Sequence, residues 1–93
     1  MSASSYEGLF TGLLLVTGES KPGIKEEFLK ALSPFSIKII DQQEMNIRNR
    51  YFLTLLYSLD KAHAKAIEQD LDLCAEKLRV DIAIDYADYR ENV

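Results

Sequence analysis

Cysteine, histidine and tryptophan are almost absent from this chain of 93 residues. Cys74 and His63 are the single cysteine and the single histidine, and there is no tryptophan. One cysteine excludes an internal disulfide and any metal site built from several cysteines. A lone cysteine also agrees with a reducing compartment, and the sequence therefore predicts a cytoplasmic protein.

Long apolar runs and an excess of positive charge are missing as well. The longest strongly apolar stretch, Leu13–Val16, is about a fifth of what a membrane span needs, and no basic residue precedes it as in a signal peptide. There are 15 acidic and 11 basic side chains, for a net charge of −4. Nucleic-acid backbones and anionic membranes attract clustered positive charge. We therefore expect neither a nucleic acid nor a membrane among the partners.

What is present is the composition of one small globular domain. Apolar residues make up 47% and charged residues 28%, enough for one modest core and too apolar for a disordered chain. The net negative charge lies wholly in residues 60–93, mostly on a solvated helix face. A domain of this length rarely holds a complete metabolic enzyme, which favours a binding or regulatory role.

The first half of the chain alternates between apolar periodicities and turn signals. Leu9–Thr17 is mostly apolar and predicts a strand buried on both faces. Pro22 predicts the first residue of a helix that Ser33 and Pro34 end. A second strand is expected from Ile37 to about Arg48, with a hairpin turn at Asn49 and Arg50.

The second half repeats the pattern in a different order. Tyr51–Leu59 alternates strictly and predicts a third strand antiparallel to the second. Asp60 is expected to cap a second helix, and Val80–Tyr86 predicts a final, half-exposed strand. The apolar face of that helix is Ala64, Ile67, Leu71, Cys74 and Leu78.

The order strand, helix, strand, strand, helix, strand is typical of the α+β ferredoxin-like fold. That fold is a four-stranded antiparallel sheet with both helices on one face. The other face must be polar, paired with a partner, or covered by something outside this chain. We expect a flexible N-terminal tail at 1–8, the domain at 9–87 and a C-terminal tail at 88–93.

Catalytic patterns are not found on this frame. His63 has no neighbouring nucleophile, and Cys74 lies on an apolar stripe, as a core residue does. The first loop lacks the arginine of acylphosphatases and the Cys-x-x-Cys of copper chaperones. Arg48–Phe52 mixes basic and aromatic residues without the glycine spacing of RNA-recognition motifs, so RNA binding is the weakest hypothesis. We expect no catalytic residue, no metal and no cofactor.

The segment Gly18–Ile24, between the first strand and the first helix, is the strongest candidate site. Its two glycines permit close backbone approach, and the helix start offers free N–H groups to a small carboxylate. The alternative is a tight turn without a ligand, in which Ser20 caps the helix. Local physics does not choose between the two.

This loop resembles that of the ACT-domain family, whose pattern is an apolar strand, then Gly-x-Asp/Asn-Arg/Lys-Pro-Gly-Ile/Leu, then a helix. Here the loop is Gly18-Glu19-Ser20-Lys21-Pro22-Gly23-Ile24. The chain is most similar to the amino-terminal ACT domain of bacterial phosphoserine phosphatases, through Ile40–Glu44, Ile47–Arg50 and Tyr51–Leu55. The resemblance spans about residues 9–86.

The resemblance implies a regulatory domain of serine biosynthesis, inactive as an enzyme alone, that forms a homodimer and binds an amino acid, often serine or glycine, at the interface. A phosphatase catalytic domain of the parent protein is a further implied partner. The implied ligand-binding residues are Gly18, Glu19, Ser20, Lys21, Pro22, Gly23, Ile24, Gln43 and Glu44. Backbone N–H groups around Pro22–Ile24 would meet the ligand carboxylate, and Gln43 or Glu44 would come from the partner chain. Because Ser20 stands at the family's Asp/Asn position, a ligand-free dimerisation module with the same fold is the second hypothesis.

Overall fold

The computed structural model describes residues 9–88. The elements in chain order are β1 (Phe10–Glu19), α1 (Ile24–Leu32), β2 (Lys38–Ile47), β3 (Arg50–Ser58), a 3-10 turn (Lys61–His63), α2 (Ala64–Leu78) and β4 (Asp81–Asp88). The predicted tail at 1–8 and positions 89–93 of the predicted C-terminal tail lie outside the described residues, whereas Asp88 is the last residue of β4. None of the helices within 9–88 is long and apolar enough to cross a membrane.

The four strands form one antiparallel sheet in the order β2-β3-β1-β4. This topology, with two helices on one face, confirms the predicted ferredoxin-like fold. Period-two alternation decides which side chains face the helices, since neighbours along a strand point to opposite faces. The inward-facing strand residues include Leu14, Val16, Leu53, Leu55 and Tyr57, and they form the core with Phe28 of α1 and with Ile67 and Leu71 of α2. Each fully buried side chain of this size stabilises the fold by roughly 1.5–3 kcal/mol.

The opposite face of the sheet carries no covering element within 9–88, and this corrects one expectation. β1 was predicted to be buried on both faces, yet Leu13 is 41% and Leu15 is 44% exposed. Their neighbours Leu14 and Val16 are fully buried beneath the helices. The apolar run in β1 therefore reflects one buried face and one uncovered apolar face.

The β2–β3 turn also differs from its prediction by one position. The two residues with positive φ are Arg48 (49°) and Asn49 (64°), and Arg50 already belongs to β3. Two consecutive left-handed residues match the right-handed twist of the flanking strands. Asn adopts the left-handed conformation more readily than most residues, so Asn49 could be placed in the turn from sequence. Arginine has no such preference, so the sequence did not indicate Arg48 as a turn residue.

α2 begins and ends with separate local devices. The Asp60 carboxylate accepts a hydrogen bond from the Ala62 N–H at 3.0 Å, so it caps the 3-10 turn that leads into the helix. Arg79 ends the helix in the left-handed conformation, and its N–H returns to the Ala75 and Glu76 carbonyls. The predicted apolar face is confirmed, with Ala75 as an additional buried member.

Candidate functional site

The β1–α1 loop is held by its own backbone rather than by a side-chain cap. Gly23 is the N-cap residue of α1, with φ 86°, and no side chain caps the helix. The prediction that Pro22 is the first helical residue is therefore wrong, since Pro22 precedes the N-cap. Ser20 does not cap the helix, contrary to the ligand-free alternative. Gly23 is required because an L residue is strained at this φ, although a Cβ there would meet nothing within 4 Å.

Gly18 has a different reason to be glycine. A Cβ built on Gly18 would lie 2.7 Å from Val80 Cγ1, well inside van der Waals contact. Val80 is buried between the end of α2 and the start of β4. The first glycine of the motif thus permits close packing of β1 against this junction, and Gly18 itself is buried.

Lys21 crosses from the loop to the end of α2. Its Nζ donates a hydrogen bond to the Leu78 carbonyl at 2.5 Å. The last carbonyls of a helix have no intrahelical partner, and a cation at this end also interacts favourably with the helix dipole. Lys21 therefore acts as a helix cap from outside α2, a role that its position in the loop motif does not indicate.

Ser20 fastens the loop to the β2–β3 hairpin. The Ser20 N–H donates to the Asn49 carbonyl at 2.9 Å, and the Ser20 Oγ accepts from Asn46 Nδ2 at 2.9 Å. Asn46 and Asn49 were not among the predicted site residues. No local sequence signal points to either residue, since Asn49 contributes its backbone carbonyl and Asn46 reaches a side chain 26 positions away.

Glu44 lies on the helix side of β2 and is held by two groups of its own chain. Tyr51 Oη donates to Glu44 Oε2 at 2.5 Å, and Lys25 Nζ lies 3.3 Å from Glu44 Oε1. The hydrogen bond from Tyr51 and, secondarily, the Lys25 ammonium lower the pKa of the Glu44 carboxyl. Burial, followed by the hydrogen bond to Glu44, raises the pKa of the Tyr51 hydroxyl. At neutral pH this is therefore a carboxylate with a neutral phenol donating to it.

The side chains of the nine predicted ligand residues do not converge on one site. Gln43 is paired with Thr54 on the uncovered face of the sheet, whereas its neighbour Glu44 points towards α1. Glu19 pairs with Arg50 and belongs to the uncovered face as well. The Ile24 side chain is in the core, which leaves only its backbone to the loop surface.

The residues brought together are those of the loop, the start of α1 and the end of β2. The first backbone bond of α1 runs from the Glu27 N–H to the Gly23 carbonyl at 3.1 Å, so the N–H groups before it have no intrahelical partner. At the end of β2, a depression of about 260 Å³ is lined by Glu44, Met45, Asn46 and Tyr51, and Glu44 of this lining contacts Lys25 of α1. This region offers an anionic acceptor, an amide and backbone donors, which is the chemistry that a small zwitterion requires.

The other ionisable groups do not assemble a reactive centre. Cys74 is 8% exposed, and burial raises the pKa of its thiol, as for a core residue. His63 is exposed in the 3-10 turn, with its ring 6.0 Å from that of Phe35. Within the part of the chain that the structure describes, no group of three or more His, Cys, Asp or Glu residues is arranged to hold a metal ion.

Comparison with known proteins agrees with this architecture. Phosphoserine phosphatase SerB2 of Mycobacterium tuberculosis is 28% identical over 78 residues, which cover 82% of this chain. The chain spans only about a fifth (19%) of that relative's length.

Solved structures share the fold at low sequence identity. A putative glycine cleavage system transcriptional repressor superimposes with a TM-score of 0.81 at 16% identity, covering 92% of this chain and 50% of that one. Formyltetrahydrofolate deformylase of Burkholderia mallei gives 0.74 at 16% identity, covering 81% and 27%. The family model of the ACT domain matches residues 12–85, from β1 into β4. The chain belongs to the ACT domain family.

Proposed function

We propose that this chain is a regulatory ACT domain that binds a small amino acid, serine or glycine, and forms a homodimer. We further propose that it is the non-catalytic, amino-terminal part of a phosphoserine phosphatase of serine biosynthesis. The relative of 28% identity supports this parent, because it carries the name phosphoserine phosphatase and is about five times as long as the matched segment.

The single observation that carries the ligand proposal is the position of Glu44 beside the start of α1. Its carboxylate lies 3.3 Å from Lys25, the second residue of the helix, and its side chain is 43% exposed. A carboxylate has about four acceptor positions, so Tyr51 and Lys25 leave room for a ligand ammonium. We propose that Glu44 serves the loop of its own chain, in place of the partner-chain role that the family resemblance implies.

The ligand carboxylate would then meet donors rather than a free cation. Lys25 is engaged with Glu44, and Lys21 is engaged with the end of α2. The remaining donors are the first N–H groups of α1, which the helix dipole favours for an anion, and the amide N–H of Asn46 that is not bonded to Ser20. Glu26 and Glu27 in the first turn weaken this attraction, so we expect modest affinity and a small ligand.

Thermal denaturation of the whole chain with a panel of amino acids tests the proposal. A ligand at about 100 times its dissociation constant stabilises the fold by about 2.7 kcal/mol, or about 10 °C or more for a domain of this size. Methylamine and acetate are the matched controls, since each carries only one of the two charged groups of glycine. If no amino acid shifts the transition at millimolar concentration, the sensing function is wrong.

Two variants connect the shift to the site. Glu44→Gln removes the acceptor charge and Asn46→Ala removes the amide, so both should weaken binding of glycine or serine. Glu68→Gln, an exposed neutralisation on α2, is the matched control and should bind as the unmodified chain does. Equal weakening by Glu44→Gln and Glu68→Gln would show that overall charge, not the loop, governs binding.

A ligand-free dimerisation module is the second candidate, because the polar groups of the loop are largely used within the chain. Ser20 bonds Asn46 and Asn49, and Lys21 bonds Leu78. This candidate predicts a dimer whose thermal transition no amino acid moves. A monomeric mass at tens of micromolar would contradict it.

A further inference from the structure

The sheet has one uncovered face, here named the open face, with an apolar centre. Alternation assigns to it every second residue of each strand, opposite the helices. Its central members are Leu13, Leu15, Thr17, Phe52, Thr54, Leu56, Met45 and Ala83. Leu13, Leu15 and Met45 are 41%, 44% and 52% exposed. A contiguous apolar patch of this kind on a small domain is typical of an interaction surface.

The two edges of the sheet are less suited to pairing with another copy. β4 carries Asp81, Asp85 and Asp88 and no basic residue, whereas β2 carries Lys38, Asp41 and the Lys25-paired Glu44. Two β4 edges brought together would place acidic side chains against each other, and β2 is interrupted by an irregularity between Ile39 and Asp41. Charges and bulges on edge strands oppose edge-to-edge association. The open face is therefore the better surface for a second copy.

One end of the open face carries two opposite charges that do not form an ion pair with each other. Glu19 of β1 and Arg50 of β3 are direct partners in the strand register, and both are exposed. The ion pairs found within residues 9–88 are Lys25–Glu44 and Lys77–Glu27, so Glu19 and Arg50 are more than 4.0 Å apart. Both side chains thus remain available to meet an opposite charge on another molecule.

We propose that a second copy of this chain covers the open face, related by a two-fold axis that lies in the interface, parallel to the strands and midway between β1 and β3. This places β3 of one copy over β1 of the other at the same level along the strands. Arg50 then meets Glu19 of the second copy, and Leu56 meets Leu13 of the second copy. Since the axis makes every contact reciprocal, two ion pairs and two leucine pairs form.

The size of the face agrees with a modest dimer. Four strands about 4.8 Å apart and about nine residues at about 3.4 Å each give a face of about 600 Å² per copy. Both copies together bury about 1,200 Å², at the lower end of specific interfaces. We therefore expect a reversible dimer in the micromolar range, with apolar contacts at the centre and charges at the rim. The inference rests on the homodimer of the proposed function and adds its surface and symmetry.

Leucine variants test the surface. The molar mass of the whole chain is measured by light scattering and sedimentation across the micromolar range. Leu13→Asp should shift the chain to monomer at concentrations where the unmodified chain is dimeric. Leu73→Asp alters a more exposed leucine (64%) on α2 and should leave the dimer intact. Circular dichroism checks that both variants remain folded, and should Leu13→Asp unfold, Met45→Asp replaces it. A folded open-face variant that stays dimeric overturns the proposed surface.

Charge reversals test the axis separately. Glu19→Arg alone or Arg50→Glu alone should weaken self-association at least several-fold, because each places like charges together at both reciprocal contacts. Mixing the two variants should restore a heterodimer. The unchanged Arg50 of the first variant then meets the unchanged Glu19 of the second, and the two substituted side chains, which carry opposite charges, meet each other. In each variant chain, residues 19 and 50 are neighbours in the same sheet and carry charges of the same sign. Mixing does not change this, so a restored association can come only from contacts between the two chains.

The outcomes distinguish this inference from the function on which it rests. A heterodimer on mixing supports the axis, and the absence of one overturns it. A monomeric unmodified chain overturns both this interface and the homodimer, whatever the amino-acid panel shows. A dimer with no amino-acid shift leaves the interface standing and contradicts sensing.

Discussion

Lys21 and Leu78 lie 57 positions apart in the sequence and are joined by one hydrogen bond, from Lys21 Nζ to the Leu78 carbonyl. The basic position of the loop thus has a structural task at the far end of the domain. It ties the β1–α1 loop to the end of α2, directly before the Arg79–Val80 junction that enters β4. The loop and the second helix are therefore mechanically linked, and a change in one is expected to reach the other.

Removing this cap should cost stability. Lys21→Met keeps the aliphatic stem but loses a charged donor at a helix C-terminus, which is worth about 1 kcal/mol. For a domain of this size that corresponds to a fall in melting temperature of about 4–8 °C. Urea unfolding gives the free energy, and Lys65→Met, an exposed lysine of α2, is the matched control. Equal stability of the two variants would contradict the capping role.

Glu44 should make the stability of the domain depend on pH. Its carboxyl has a lowered pKa in the fold, through Tyr51 first and then Lys25, so the charged form is favoured by folding. Such a group contributes stability above its unfolded pKa, about 4.3, and that contribution is lost as pH falls through the folded value. The unfolding midpoint should therefore differ between the unmodified chain and Glu44→Gln at neutral pH. The difference should shrink below about pH 4.

The comparison is made by denaturant titrations at a series of pH values in the same salt. Tyr51→Phe serves as the second variant, because it removes the hydrogen bond that contributes most to the shift. It should reduce the pH-dependent difference without abolishing it, since Lys25 remains. If the difference in unfolding midpoint between the unmodified chain and Glu44→Gln is constant from neutral pH to about pH 3, Glu44 is not the source of the pH dependence.

The fold was predictable from sequence because alternation and helical spacing record burial directly. Leu53, Leu55 and Tyr57 are apolar at every second position, and all three are fully buried in β3. The same signal is ambiguous where apolar residues fill both faces of a strand. In β1, Leu13 and Leu15 lie on the open face, and a pattern of residues cannot tell a covered face from an uncovered one.

The candidate site was predictable only in part, since its contacts join distant positions. The loop was located by its glycines and proline, yet the reason for Gly18 is Val80, 62 positions later. The bond between Ser20 and Asn46 likewise depends on where the β2–β3 hairpin comes to lie. Nothing local in the sequence records such meetings, which is why Asn46 was missed.

Tyr57 contains a buried polar atom that should be removable at no cost. Its side chain is fully buried, and its hydroxyl makes no hydrogen bond of normal geometry within 9–88, although burial and then the nearby Tyr86 hydroxyl raise its pKa. A buried hydroxyl without a partner costs free energy, so Tyr57→Phe should leave stability unchanged or raise it by up to about 1 kcal/mol. Tyr51→Phe, which loses the bond to Glu44, should instead destabilise the fold by about 1 kcal/mol.

The ring of Tyr57 also explains Gly12, and this gives an internal check. A Cβ on Gly12 would lie 2.7 Å from the Tyr57 ring. Gly12→Ala should therefore destabilise the chain by about 1–3 kcal/mol through overpacking. Urea unfolding of the three variants ranks them, and a destabilised Tyr57→Phe would show that the hydroxyl has a partner after all.

Arg79 should be replaceable by glycine with a gain in stability. It ends α2 at φ 60° and ψ 45°, in the left-handed region that costs a residue with a Cβ roughly 1 kcal/mol. Glycine adopts this conformation without that cost and is the usual residue at such a helix end. Arg79→Gly should therefore raise the free energy of unfolding by about 0.5–1 kcal/mol. Arg79→Ala is the matched control, because it removes the same exposed charge and keeps the strained Cβ. In thermal and urea unfolding, Arg79→Gly must have a higher free energy of unfolding than Arg79→Ala. Equal free energies for the two variants would show that the effect comes from the side chain and not from the backbone conformation.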